Sequence, residues 1–460
     1  MDCRRFVTLL LGLFTLAMVR AQQSFSLQEA ITYAQEHNAD VRIEQLNVQD
    51  ADGQLLEYKS IGIPKINADV DYAYFIDIPT QILPDFLSPA VYGVLFEEGV
   101  IDPKPIPTGG SAPVRFGKDH NLDASLSLET MIFDFAWIQG LKAQALFRDL
   151  VQKNVTAKAF EIRSKVTRAY LAVLINKRSL ALLDDNIRNL ETLYNETRAI
   201  YENGFAEQLD VDRLALSLDN LRTDRQNVER LADVTRNLLK FQMGYPITEP
   251  IELTDDFDVL AGQVSVASVS LTDPVDYNER PEYVTFELRE QLNEINMKVI
   301  KSGYLPTLRG RASWSRTLQR DKLFDSNDSP WFPSSMLGVT LNVPIFDGLE
   351  KKARLERARI SRDKVSIARS EFERAVDLEV RNARIQFHNA SETVQARRNS
   401  MDLAQRIYDT TQIKYREGVG SSIELTQAEA ELYRTQSNYI NALYDLIVAK
   451  TELDIALGKI

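Results

Sequence analysis

The 460-residue chain carries 66 acidic against 54 basic side chains, a formal charge of −12, which argues against generic nucleic-acid binding and favours solubility. Its one cysteine, Cys3, excludes a disulfide scaffold, and its three histidines, His37, His120 and His388, are too scattered for metal-ligand spacing. No His-Glu-x-x-His, Gly-x-Gly-x-x-Gly, Walker loop or serine elbow is present, so the chain reads as a non-enzyme without cofactor or metal.

In chain order, Arg4 and Arg5 precede an apolar stretch from Phe6 to Val19, and Val19-Arg20-Ala21 offers a small-residue cleavage site. Residues 1–21 are therefore expected to be a secretory signal. Cys3 lies ahead of the apolar stretch, so no lipid anchor is expected. Ser26-Leu27-Gln28-Glu29 has the capping-box pattern and opens a helix expected to run to about Ile61, where Gly62 and Pro64 stop it. The period then changes to two. Ile66, Ala68, Val70, Tyr72 and Tyr74 alternate with polar Asn67, Asp69 and Asp71. The same alternation returns with Asp123 and Glu129 between apolar residues, then with Arg309 and Arg311 between Leu308, Gly310 and Ala312, and again over 337–345. Four strands of roughly ten residues follow, near 65–76, 121–133, 307–317 and 336–346, each apolar on one face, as in transmembrane barrel strands. A sheet buried on one face in water has the same pattern. The connecting segments, Pro-rich from Pro79 to Pro113 and shorter from Gln319 to Ser334, lie on one side of the strand pairs and the helices on the other, an asymmetry typical of outer-membrane barrels.

A long helix follows each second strand. Leu349 to Glu417 contains neither Pro nor Gly, enough for about 100 Å at ~1.5 Å per residue. Steps of three and four through Val380, Phe387, Val394, Arg397, Ala404, Tyr408 and Tyr415, and back through Leu425, Leu432, Tyr439, Leu446 and Leu453, mark antiparallel coiled-coil packing. The first half repeats this scheme at a constant offset: Tyr201/Tyr415, Gly204/Gly418, Leu209/Ile423, Asp210/Glu424 and Gly244/Gly458 are equivalent pairs. The chain is thus an internal duplication. Its first repeat spans 22–257 with a hairpin tip near 204, its linker 258–276, and its second repeat 277–460 with a tip near 418.

Four strands cannot close a barrel, and bare strand edges in lipid cost several kcal/mol per unsatisfied group. If the strands lie in a membrane, several copies share one barrel, with Asn67, Asp69, Asp71, Asp123, Glu129, Arg309 and Arg311 lining the lumen. Over essentially the whole mature sequence the chain resembles the TolC family of outer membrane efflux proteins. The carrying residues are Ser26–Ala30 with Asn38, Arg280-Pro281-Glu282, Ser302-Gly303-Tyr304-Leu305-Pro306, Pro344-Ile345-Phe346-Asp347-Gly348 and Tyr415-x-x-Gly418. Two departures stand out: Met131–Phe135 lacks the Pro and Gly of its partner segment, and Ala39 stands where many relatives have Pro.

The resemblance implies a mainly helical fold with four transmembrane strands per chain, and a homotrimer forming a twelve-stranded barrel and a helical periplasmic tunnel. It implies an exit duct of a tripartite efflux or type I secretion system in the outer membrane of a Gram-negative-type bacterium. The partners would be a periplasmic adaptor and an inner-membrane pump, with outer-membrane lipid around the barrel and no nucleic acid. Adaptor docking would fall at Tyr201, Gly204, Tyr415 and Gly418, and a periplasmic gate at Asp210 and Glu424; Gln427 replaces the second acid that the family places at the tunnel end. Each residue also has a purely structural reading: the glycines permit a tight reversal, the tyrosines cap the seam, and the acids favour a helix start. The alternative for the whole chain is a periplasmic adaptor or coiled-coil scaffold, which usually carries one hairpin rather than two.

Overall fold

The computed structural model describes residues 23–84, 87–105, 110–264, 273–324 and 330–459. The expected signal, residues 1–21, lies outside them. Two compact units are present, one from Met1–Asp52, Leu146–Asn293 and Ile360–Ile460, the other from Gly53–Ala145 and Glu294–Arg359. No helix among the described residues is long and apolar enough to cross a membrane.

The first unit is built on long helices. Strand β1 (Gln23–Phe25) leads into α1 (Leu27–His37), whose Ser26 forms the expected capping box with Glu29, and then α2 (Ala39–Ser60). The expected single helix to Ile61 is thus two helices. Asn38 breaks it: its backbone turns extended (φ −63°, ψ 132°). Its side-chain oxygen caps the N–H groups of Asp40 (2.9 Å) and Val41 (3.4 Å), and its amide donates to the Gln242 carbonyl at 2.8 Å.

Helix α4 (Phe135–Glu202) returns as α5 (Gln208–Met243), and α8 (Glu350–Arg416) returns as α9 (Ser422–Ala456). Of the expected seam, Leu190, Leu214, Leu218, Ala404, Tyr408, Leu425, Ala428 and Leu432 form one buried cluster from all four helices, and Leu193, which the spacing did not single out, joins them. A fully buried Leu contributes roughly 1.5–3 kcal/mol. Arg397, assigned to the seam from its spacing, is exposed instead; its charge keeps it in water.

A second cluster joins α1, α4, α5 and α9 to β1 and β6 (Ile251–Leu253), which pair in parallel. At its centre the Tyr170 hydroxyl donates to the Phe25 carbonyl and to Asp255, both at 2.9 Å. The expected linker 258–276 contains most of a short helix, α6 (Phe257–Gln263); residues 265–272 are outside the description. A 3₁₀ turn (Tyr277–Glu279) then leads into α7 (Pro281–Ser302). The Arg280 guanidinium is buried between the Phe160 and Phe372 rings, where it binds the Ala456 carbonyl at 3.2 Å and Glu379 at 3.1 Å. It thereby caps orphan carbonyls at the end of α9. The duplicated glycines serve one purpose in both repeats: a Cβ on Gly244 would meet the His37 carbonyl oxygen at 2.6 Å, and one on Gly458 would collide with that of Glu279.

The second unit holds a four-stranded antiparallel sheet, ordered β2 (Lys65–Tyr74), β5 (His120–Phe133), β7 (Thr307–Arg320), β8 (Phe332–Asn342). The strands from the two repeats meet at β5 and β7. Strand β8 is displaced from its expected span of 336–346. Its partner β7 begins at Thr307, after Pro306, so the ladder ends at the Thr307–Asn342 pair, and Val343 and Ile345 lie beyond it. At the other end β7 runs to Arg320, past the expected 317. The Pro79–Pro113 segment is more than a loop: β3 (Thr80–Pro84) and β4 (Ser111–Arg115) form an antiparallel ribbon around α3 (Leu87–Glu97).

Candidate functional site

Two surfaces carry the residues singled out in the sequence: the faces of the sheet and the tips of the helical hairpins. Cross-strand register fixes the faces. Lys65, Glu129 and Arg311 occupy one row, Asp69, Ser125 and Ser315 another, and Asp71, Asp123 and Thr317 a third. Asn67 shares this face through its row with Ser127 and Ser313, and Arg309 faces Met131 and Thr340. The sheet therefore gathers all seven residues expected to line a lumen onto one face. Near one end of the sheet Lys65, Glu129, Arg309 and Arg311 line a cavity of about 330 Å³, where charges of both signs lie side by side.

The opposite face carries Ile66, Val70, Leu126, Leu128, Trp314, Leu337, Val339 and Leu341. Several are more exposed than a soluble fold tolerates as a contiguous patch: Ile66 at 73%, Val70 at 72% and Leu337 at 86%. Aromatic side chains bracket this face, with Tyr72 and Tyr74 toward one end, Trp314 at mid-strand, and Phe133, Phe135 and Tyr304 exposed near the other. Strands β2 and β8 are the outer strands, each hydrogen-bonded on one side only among the described residues.

At the first tip, Gly204 takes φ +84° and its N–H donates to the Tyr201 carbonyl at 2.8 Å. At the second, Gly418 takes φ +74°, with the matching bond to Tyr415 at 3.0 Å, and the N–H groups of Val419 and Gly420 both reach the Lys414 carbonyl. Left-handed backbone at these points is what reverses each chain, and only Gly adopts it without strain. Tyr415 is half-buried against the seam and burial raises its hydroxyl pKa, whereas Tyr201 is exposed.

The two acids matched by the repeat sit differently. Asp210 completes the cap of α5, accepts the Ser422 hydroxyl from the other hairpin, and lies 4.0 Å from Arg213, which itself donates to Ser422 at 2.9 Å. Glu424 is exposed, and its backbone N–H is capped by Ser421. Arg416 and Glu196 add a second tie between hairpins at 3.0 Å.

Sequence reasoning missed two features. Phe205 and Val419, one residue past the equivalent glycines, are 85% and 78% exposed, so each tip ends on a bare apolar side chain. Their signal was in the repeat register, next to the tyrosines that drew attention. Glu429 is buried in the seam, 1% exposed, with Tyr433 donating to its Oε1 at 2.8 Å and its Oε2 unpartnered among the described residues. Its spacing of four from Leu425 and three from Leu432 places it on the apolar stripe.

Comparison with known proteins shows what the chain is similar to. Residues 278–459 match the family described as Outer membrane efflux protein. The antibiotic efflux pump outer membrane protein ArpC of Pseudomonas putida is 22% identical over 359 residues, 77% of this chain and 72% of that protein. The crystal structure of CusC superposes over 97% of this chain and 96% of its own, with TM-score 0.72 and 17% identity. The open-state MtrE outer membrane channel of Neisseria gonorrhoeae covers 94% of this chain and 88% of its own, with TM-score 0.69 and 17% identity. The chain thus shares the fold of these two solved structures.

Proposed function

We propose that this chain is the outer-membrane exit duct of a tripartite efflux system, a passive conduit assembled from three copies. One observation carries the reading: a four-stranded sheet with an exposed apolar face, a polar opposite face and two edges unpaired among the described residues, in a chain that also holds paired helical hairpins. In hydrocarbon each unsatisfied backbone group costs several kcal/mol, so β8 of one copy pairs with β2 of the next and twelve strands close a barrel. The apolar face meets lipid, and Asn67, Asp69, Asp71, Asp123, Glu129, Arg309 and Arg311 line the lumen. The hairpins form the periplasmic duct.

Adaptor docking falls at the tips around Tyr201, Gly204, Tyr415 and Gly418, and the bare Phe205 and Val419 supply its apolar contact. Opening separates the hairpins there, which means releasing Asp210 from Ser422 and Arg416 from Glu196; Glu424 then stands exposed beside the opening as the second gate acid. An inner-membrane pump supplies the energy through the adaptor, and residues 1–21 direct export. Expression in an efflux-deficient host tests the reading. A heat-labile, detergent-extracted oligomer in the outer membrane that restores drug export supports it; a water-soluble monomer in the periplasm refutes it.

A further inference from the structure

The apolar face of the sheet carries two cations that the conduit does not use. Arg316 sits in the row of Val70 and Ala124, and Arg320 in the row of Tyr74 and His120. Both therefore point to the face that, on the reading above, meets lipid. A cation on a lipid-facing barrel strand costs about 2–4 kcal/mol at the bilayer midplane and roughly 0–1 kcal/mol near an interface, so depth decides what these arginines do. Counted from Thr307, Arg316 lies about 30 Å along β7 at ~3.4 Å per residue. A strand tilt of about 40° makes that about 23 Å of height, close to the ~25 Å of an outer-membrane apolar band. Arg316 is thus at the outer boundary and Arg320 above it.

Their surroundings are those of a headgroup site. The Arg316 guanidinium lies over the Trp314 ring at 5.8 Å and has no carboxylate partner among the described residues. Arg320 reaches only the Leu323 carbonyl, at 3.4 Å, and its Nε is buried without a partner among the described residues. His120 is bonded to the Tyr72 hydroxyl at 2.8 Å and packs 4.9 Å from the Tyr74 ring. By contrast Lys351, at the start of α8 and 5.3 Å from the Tyr304 ring, is bonded to Asp347 at 3.0 Å. Arg316 is exposed on this face and open to a partner outside the chain, whereas Arg320 is half-buried beyond the buried Leu318 and offers its terminal nitrogens rather than its Nε. Below Arg316 the face is Leu126, Ala312 and Leu337, a surface for acyl chains.

We propose that Arg316 and Arg320, with Trp314, His120, Tyr72 and Tyr74, bind the phosphate of an outer-leaflet lipid whose acyl chains lie along the apolar strand face. Guanidinium groups match phosphate oxygens in a bidentate manner, and the aromatic rings sit at headgroup depth. The proposal rests on the membrane reading of the sheet.

Native mass spectrometry of the outer-membrane-extracted complex tests it, with diphosphoryl lipid A and its dephosphorylated counterpart as probes. Wild-type protein should retain the phosphorylated lipid at least tenfold better, and the doubly substituted R316Q/R320Q protein should lose that preference while still binding the dephosphorylated form. R316K, which keeps the charge but not the fork, should fall between. Equal retention of the two lipids by wild-type protein overturns the proposal even if the double variant fails to assemble, as does an undiminished preference in the variant. Recovery of wild-type protein from the soluble fraction instead would fail the membrane reading itself.

Discussion

Replacing Glu429 by Gln should stabilise the hairpin seam at alkaline pH and change it little at acid pH. The carboxyl is buried among Tyr408, Leu425 and Leu432, and burial pushes its pKa from 4.5 up to about 7, although the Tyr433 hydroxyl bond works in the opposite direction. In the unfolded chain the group titrates near its ordinary value. Between about pH 4.5 and 7 the folded state therefore holds a proton that the unfolded state has lost, and stability falls as pH rises. Above pH 7 the full cost of a buried carboxylate is present, about 3 kcal/mol at ~1.4 kcal/mol per pKa unit. Gln keeps an acceptor for Tyr433 and carries no charge, so the variant escapes that cost. Hydrogen exchange of the amides around 425–433, compared between variant and wild type at the same pH, reads the difference. At pH 8 the E429Q protein should exchange about a hundredfold more slowly, and at pH 5 the two should agree within about fivefold. Equal protection at both pH values would refute the assignment of Glu429 as a buried, proton-binding member of the seam.

Removing the Arg280 guanidinium with Arg280→Ala leaves the last carbonyls of α9 without their donor, and calorimetry should show a loss of about 1–3 kcal/mol, the usual cost of a buried polar group left unsatisfied. Leu337→Lys, on the exposed apolar face of β8, should cost about 2–4 kcal/mol if the residue lies near the bilayer midplane; outer-membrane yield should drop sharply while helical content by circular dichroism is kept. Glu at both Phe205 and Val419 should abolish drug export while leaving oligomer and membrane yield intact, because those side chains make no contact with the seam; unchanged export would remove them from the docking surface.

Periodicity carried most of the fold. The heptad steps of α4, α5, α8 and α9 and the alternation in β2, β5, β7 and β8 record which side of each element is dry, and the duplicated Tyr-x-x-Gly turns record where the hairpins reverse. Long-range contacts were not legible. Asn38 ends α1 partly by bonding the carbonyl of Gln242, some two hundred residues away, and no local pattern reports that. The end of β8 depends on where β7 begins. The Pro79–Pro113 segment reads as turn-rich in composition, yet Thr80–Pro84 finds a partner in Ser111–Arg115. At the tips, equivalence in the repeat suggested equal roles for Asp210 and Glu424. Packing separates them, because Asp210 meets Ser422 across the hairpins while Glu424 faces solvent.

The number of chains in the particle extracted from the outer membrane bears most directly on the pooled barrel. Native mass spectrometry in mild detergent should return three copies of the chain, dissociating to one on heating. A single copy, soluble once detergent is withdrawn, would mean that the sheet closes its edges without neighbours, and the conduit would have no wall.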